Sequence, residues 1–420
     1  MPDQQIDLTS LPIPELKRYK LRMHILRSLH KKGMQPAATL AKKTNVSLPT
    51  IRSVLDELIN QEIVNVSGTG DSSGGRKPAV YSLREDAFFV FAIEMGHFRS
   101  KACIIDCHNK NRTKILEFEM HIDDPELEEK IEGALVSLLK EAGLERRKIT
   151  AAGIGMPGLI DSTNGINKTI KDPAAQAIRD RIASRIQIRT VIENDARMQA
   201  LGEFMFGKAK NTQNTLVITW SWGLGLGIVQ NEEIYKGANG CSGEFSHIRM
   251  VENGTLCECG KRGCLQTIAG ARHLIEMARG EIARNTASQL TKAFTGKTGE
   301  LMPQDIVRFA KKGDELCISL LNKLGTSLGW GLSILIQLYN PEMIVLSGPL
   351  VAAGPYVLIP VQQAVNHYCL NEISGSVRIE ASDLGEQSGL KGISVMVFNR
   401  LFRDKSLELQ DSLPSGKLSV

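Results

Sequence analysis

"QIRTVIENDARMQALGEFMFG", residues 187–207, changes character in its middle. Its first half is β-branched and reads as a strand that reaches Asn194–Asp195; its second half, rich in Ala, Met, Gln, Leu and Glu, reads as a helix. Strands that run into helices argue for α/β layering. Polar residues at the C-terminal end of such a strand lie where these sheets bind ligands. Asp195 is also placed to cap the helix beginning at Ala196, a role compatible with ligand binding.

The same pattern extends on both sides. "AFFVFAIEM", "KACIID" and "TKILEFEMHI" read as successive strands, followed by a helix near 125–142. "TAAGIGMPGLID" (150–161) is a buried strand running into a Gly-Pro turn. Further on, long helices near 314–338 and 356–369 flank the strand "EMIVLSG", and "KGISVMVFNRLF" (391–402) closes the domain as a helix. No strict internal repeat is visible. Two α/β units, each opening with a β-hairpin, are expected.

A chain of 420 residues, 42% hydrophobic and 23% charged, fits a soluble protein of two or three domains. No apolar run reaches the roughly 18 residues of a membrane helix, and the N-terminus lacks a signal-peptide pattern. A cytoplasmic, nucleoid-associated bacterial protein without membrane contact is expected. Charge is unevenly spread. Residues 1–84 hold 13 Lys and Arg against 7 Asp and Glu, whereas the rest of the chain is nearly neutral. This suits either a polyanion-binding module on a neutral body or a merely solvated basic segment.

The N-terminal pattern decides between them. A helix over 15–32 offers Leu21, Ile25, Leu26 and Leu29, and "PAATLAKKT" (36–44) is a short helix opened by proline. After the turn "NVS", Ser47 is a good N-cap for a second helix, whose Ile51, Val54, Leu55, Leu58 and Ile59 share one face. Thr50, Arg52, Ser53 and Asp56 are left off that face. Three helices with this short turn form a helix-turn-helix, which enters the major groove by the N-terminal residues of its second helix. "EIVNVSGTGDSSGGRKPAVYSL" adds a hairpin wing, in which Gly74 and Gly75 allow close approach and Arg76 and Lys77 reach the minor groove or its phosphates. The DNA-contact candidates are therefore Ser47, Thr50, Arg52, Ser53, Gly74, Gly75, Arg76 and Lys77. A protein-binding winged helix is the competing reading.

Eight cysteines occur, three of them within "CECGKRGC" (257–264). His247 with Cys257, Cys259 and Cys264 makes a natural tetrahedral zinc set, and Gly254, Gly260 and Gly263 permit the turns that would gather them. A filled four-ligand site is structural, with no hydrolytic role. Reduced cysteines in a turn are the alternative.

Together "GGRKP", "GIGMPGLID", "ENDARMQALGE", "YKGANGCSGEFSH" and "CECGKRGCL" resemble the ROK proteins (repressors, open reading frames and kinases) over residues 15–400. The resemblance implies the two-lobed sugar-kinase/actin-like (ribonuclease H-like) fold, with a sugar site between lobes, a zinc-supported loop, and dimers or tetramers. It places Asn194, Asp195, Glu244 and His247 against sugar hydroxyls, Asp195 matching the kinases' catalytic base. It also implies a division into a winged helix-turn-helix (1–85), a small α/β subdomain (86–207 with 386–403), a larger one carrying the zinc loop (208–385), and a loose tail (404–420).

The departures from the kinase pattern are as informative. "IEMGHFRSK" puts His97 and Phe98 where the first phosphate loop has small Gly and Thr. "SWGLGLG" (221–227) puts Ser221, Trp222 and Leu226 where the second loop has Gly, Thr and Gly, and "LSGPL" puts Pro349 in place of a glycine. A phosphate cradle needs exposed N–H groups and a small hydroxyl. The reading is thus a regulator, most naturally a repressor of carbohydrate uptake or catabolism genes, with Asp195 a vestigial base and no catalysis. Gln266 in place of a sugar-contacting Glu, and "STNGINKTIKDP" after "GLID", leave the sugar's identity open. A sugar kinase, or a regulator answering to a protein partner, are the competing functions.

Overall fold

The computed structural model describes residues 12–69, 78–97, 99–296 and 300–402. Gly74, Gly75, Arg76, Lys77, Phe98 and the tail from 404 lie outside them.

The chain begins with α1 (Ile13–Lys32), a two-residue strand β1 (Gln35–Pro36), α2 (Ala37–Thr44) and α3 (Leu48–Asn60), then β2 (Val64–Thr69) and β3 (Ala79–Leu83). Ile25, Leu26 and Leu29 of α1 and Ile51, Val54, Leu55 and Leu58 of α3 are buried, as periodicity predicts. Met23 joins them, while Leu21 and Ile59 are only half-buried. The Ser47 hydroxyl accepts the Thr50 N–H, so Ser47 does cap α3. Strands β2 and β3 pair antiparallel, and β1 adds to the outer side of β3, a strand too short to announce itself by alternation.

Two five-stranded sheets follow. The first is built from β4 (Phe89–Glu94), β5 (Arg99–Asp106), β6 (Leu116–Glu119), β7 (Ile149–Met156) and β10 (Thr190–Asn194). Between these strands lie α4 (Leu127–Ala142), the small pair β8 (Ile160–Asp161) and β9 (Ile166–Asn167), α5 (Pro173–Gln176) and α6 (Ile178–Ile186). The second begins after α7 (Asp195–Phe206) with β11 (Thr215–Trp220), β12 (Leu224–Gln230) and β13 (Glu233–Ile234). Helices α8 (Gln266–Ala269), α9 (Ala271–Ala283), α10 (Gln289–Phe294), α11 (Pro303–Ala310) and α12 (Glu315–Tyr339) lead to β14 (Met343–Ser347). Then come α13 (Pro355–Tyr368), α14 (Asn371–Ser374), β15 (Arg378–Ala381) and the closing helix α15 (Ser388–Leu401).

The sheet orders are β10-β7-β4-β5-β6 and β13-β12-β11-β14-β15. In each, three strands form an antiparallel meander, and two more add in parallel beside the first strand. The units therefore share one topology although their sequences show no repeat. Backbone hydrogen bonding and right-handed crossovers specify such a fold with little demand on side-chain identity.

One compact unit comprises the chain up to Asn194 and from Ile393 on; the other is Asp195–Gly392. The crossings therefore fall at the Asn194–Asp195 peptide and inside α15, not near 207 and 386 as the sequence reading has them. Helix α7 belongs to the second unit because it packs on β12 without intervening side chains: a Cβ at Gly227 would stand 2.3 Å from the Ala200 Cβ and 2.6 Å from the Ala196 carbonyl oxygen. Among the described residues no helix is long and apolar enough to cross a membrane.

Candidate ligand and metal sites

The glycine-rich stretch after Trp220 is explained by packing. Gly225 and Gly227 face α7, whereas Leu224, Leu226 and Ile228 on the opposite face enter the core of the second unit. Trp220 is fully buried, and its indole N–H donates to the Ala269 carbonyl at 2.7 Å. Trp222 is partly buried against the same core. Gly227→Ala is therefore expected to cost about 1–3 kcal/mol by overpacking. Urea unfolding of the variant measures it; an unchanged midpoint would return the glycines to a ligand role. Pro349 opens a short 3-10 turn, Pro349–Ala353, directly after β14.

Within the second unit, the first turn of α7 gathers charge. Burial raises the Asp195 carboxyl above its ordinary range, opposed by the Ala196 backbone N–H, its own N–H and Arg197. Glu244 is raised for the same reason, with Arg197 lowering it and Asp195 pushing it further up. Arg197 itself is buried and donates to the Gly240 carbonyl at 2.7 Å, which ties α7 to the loop that carries Glu244. His247 Nε2 lies 3.9 Å from Glu244 Oε2. Three of the four predicted sugar contacts thus share one neighbourhood of this unit. Arg197, which the sequence reading passes over, supplies it with a cation beside Asp195 and Glu244.

Asn194 ends β10 in the first unit. Its side-chain amide donates to the Gly158 carbonyl at 3.2 Å. Gly158, at φ 111°, sits in the "MPGL" turn, where any Cβ would meet Thr169 Oγ1 at 2.7 Å and Asn167 Oδ1 at 2.8 Å. The segment after "GLID" therefore builds the wall behind Asn194. Asn167, buried and donating to the Pro157 carbonyl, and Thr169, accepting the Leu159 N–H, are two positioning residues that no sequence motif marks.

The ligand atoms of His247, Cys257, Cys259 and Cys264 all lie within 4.8 Å of one another, a group able to hold a metal ion. His247 Nδ1 is 3.6 Å from Cys257 Sγ, and Cys259 Sγ is 3.6 Å from Cys264 Sγ. The loop that gathers them depends on Gly263: at φ 75°, its missing Cβ would stand 1.7 Å from the Val251 carbonyl oxygen. Burial, with the neighbouring thiols adding to it, pushes Cys264 up to about 12. Burial also lowers His247, leaving a neutral imidazole suited to ligation.

Of the predicted DNA contacts, Ser47, Thr50, Arg52 and Ser53 are all exposed at the N-terminal end of α3. Ser53 is also engaged within the protein, its hydroxyl accepting Arg18 Nη2 at 2.9 Å.

Residues 90–400 match the ROK family. The chain belongs to that family. This ROK protein is 26% identical to the xylose repressor of Bacillus subtilis over 385 residues, 89% of its own length and 94% of the repressor. A glucokinase of Halalkalibacterium halodurans is 32% identical over 246 residues, covering 57% of this chain and 73% of the kinase. Among solved structures, a ROK family transcriptional regulator described as a homolog of the E. coli MLC protein matches with a TM-score of 0.77 at 22% identity, over 94% of this chain and 99% of that one. The mixed α/β sugar-kinase-like fold is thereby shared.

Proposed function

We propose that this ROK protein is a sugar-responsive, DNA-binding transcriptional regulator. It represses carbohydrate uptake or catabolism genes and binds its sugar without phosphorylating it. One observation carries the reading: the likeness to the xylose repressor extends over 89% of the chain, so it takes in part of the first 89 residues, ahead of the segment that the family shares. Those residues hold the basic excess, the three helices and the β2–β3 hairpin. They constitute a winged helix-turn-helix, ending near 85, as part of a cytoplasmic homodimer or homotetramer.

Thr50, Arg52 and Ser53, with Ser47 at the cap, face the major groove; Gly74, Gly75, Arg76 and Lys77, which lie outside the described residues, contact the minor groove or its phosphates. Asn194, Asp195, Glu244 and His247 bind the sugar. Carboxylates, an amide and an imidazole supply the alternating donors and acceptors that a polyol presents.

The metal is zinc. His247, Cys257, Cys259 and Cys264 would hold it, one imidazole and three thiolates being a donor set that zinc takes, with their ligand atoms within 4.8 Å of one another. Held through Nδ1, which lies nearer Cys257, the His247 ring would keep its proton on Nε2, the nitrogen nearer Glu244, and would present a fixed donor there. When bound, the ion supplies three thiolates with a counter-charge and braces the loop.

The direct test is mobility shift of DNA from upstream of the coding region by the full-length protein, with and without D-xylose, D-glucose and N-acetyl-D-glucosamine. Binding that one of these sugars relieves supports the reading. Arg76→Ala should reduce the slope of log affinity against log salt by about 1; an unaltered slope removes Arg76 from the phosphates. The glucokinase likeness favours a second reading, an ATP-dependent sugar kinase. ATP consumption dependent on any of these sugars, abolished in Asp195→Ala, would establish it in place of the first.

A further inference from the structure

The residue before the Asn194–Asp195 pair is a carboxylate sealed from solvent. Glu193 is fully buried on β10, the edge strand of the first sheet. Its Oε1 accepts the backbone N–H of Asn194 at 3.1 Å, satisfying a donor that an edge strand leaves without a sheet partner on that side. Its Oε2 lies 3.6 Å from Nη2 of Arg400, on the last turn of α15. A buried carboxylate with a cation this close resists separation, because either charge left alone in the interior is strongly unfavourable.

Two residues to either side of Arg400 stand Phe398 and Phe402. Spaced i, i+4, they share a face about 200° around the helix from Arg400. Their rings are stacked, with centroids 5.9 Å apart, and both meet His30 of α1, at 4.7 and 5.9 Å. Phe88 closes the cluster edge-on at 5.4 Å from Phe402. The imidazole is itself anchored, with Nδ1 2.8 Å from the Cys107 carbonyl. Burial holds its pKa down to about 4, so the ring is neutral and Nδ1–H donates. On the N-terminal side of both grips, α15 lies against bare backbone. A Cβ at Gly153 of β7 would touch Ile393 and Val397 Cγ2 at 2.5 and 2.6 Å, so no side chain at that position interlocks helix and strand.

We propose that Glu193 and Arg400 are positioning residues that transmit occupancy of the Asn194–Asp195 site along α15, through Phe398 and Phe402, to His30 and thus to the N-terminal helices. A ligand that moves Asn194 moves the carboxylate bonded to its N–H. The ion pair carries that movement to α15, which shifts over the smooth surface at Gly153 and takes the aromatic cluster with it. The proposal rests on the sugar-sensing reading above. Its physical content is a coupling free energy between two sites carried by one contiguous set of contacts.

The test uses the full-length protein without DNA, so that sensing and transmission are read separately. Calorimetry with D-xylose, D-glucose and N-acetyl-D-glucosamine identifies a bound sugar; amide hydrogen exchange then follows Asp195–Phe206 and Ile13–Lys32. In the wild type the sugar is expected to change exchange in both segments, by about fivefold or more in the N-terminal helix. Arg400→Met is expected to bind the sugar equally well and respond in Asp195–Phe206 but not in Ile13–Lys32, and Arg400→Lys to restore the response. Should Arg400→Met not fold, Phe402→Leu, which leaves the ion pair intact, is expected to give the same split. An undiminished response of Ile13–Lys32 in either variant overturns the relay while the sugar-sensing reading stands. Failure of the wild type to bind any of the three sugars overturns that reading and the relay with it.

Discussion

Asp195→Ala is expected to fold, to hold DNA as the wild type does, and to ignore the sugar. The carboxyl is buried at the start of α7, in the neighbourhood of Arg197 and Glu244. Hydrogen bonds from sugar hydroxyls to a charged acceptor in such a site contribute about 1.5–3 kcal/mol each. Loss of two weakens binding by about a hundredfold or more. Calorimetry on the DNA-free variant measures this directly, and a sugar affinity within threefold of wild type would remove Asp195 from the site. Stability should move the other way. Because burial raises the carboxyl above its unfolded value, the native state binds the proton more tightly than the unfolded chain does. Stability is therefore lost as pH rises from the unfolded value through the folded one, and the cost persists at neutral pH. Asp195→Asn, which removes the charge and keeps the shape, should melt higher than wild type at pH 7, with the advantage fading below about pH 4. A lower melting point for this variant at pH 7 would contradict the assignment of burial as the dominant cause.

Stripping the metal is expected to have the largest effect on stability. Structural zinc contributes about 10–16 kcal/mol of apparent binding free energy in isolated fingers. Here Cys257 and Cys264 are buried, and the segment from His247 to Cys264 owes its shape to turns rather than to helices or long strands. Chelation of the reduced protein, or Cys264→Ser, should lower the melting temperature by on the order of 10 °C. It should also abolish the sugar response, because His247 would lose the metal bond proposed to fix its ring. Metal content by mass spectrometry under native conditions, with melting followed before and after chelation, checks both. A protein that contains no metal and melts unchanged would leave the four residues as reduced side chains in a turn.

The same His/Cys cluster illustrates how far local sequence carries. Three cysteines and a histidine with turn-forming glycines are a constraint written in residue types, so the donors are legible before any coordinates. The α3 core face is legible for a similar reason: Ile51, Val54, Leu55 and Leu58 obey a period that the helix itself imposes. The glycine-rich stretch at 221–227 shows the limit. Read along the chain, it looks like a damaged phosphate loop. In the fold, Gly225 and Gly227 are the floor on which Ala196 and Ala200 of α7 rest, a contact between segments about thirty residues apart. Nothing in the local pattern separates a glycine kept small for a ligand from one kept small for a helix.

By itself, then, the sequence determined the longer strands and several of the helices, the four candidate metal ligands, the basic N-terminal segment and the polar pair that ends β10. These depend on periodicity, propensity and side-chain chemistry, which act over a few residues. Only the tertiary structure decided that two sheets of unlike sequence share one topology, that α7 belongs with the second of them, and that Glu193 is sealed beneath Asn194 against Arg400. Each of those facts is a packing outcome between residues far apart in the chain. Burial and close approach arise there from the summed geometry of the whole core, which no single stretch of residues encodes.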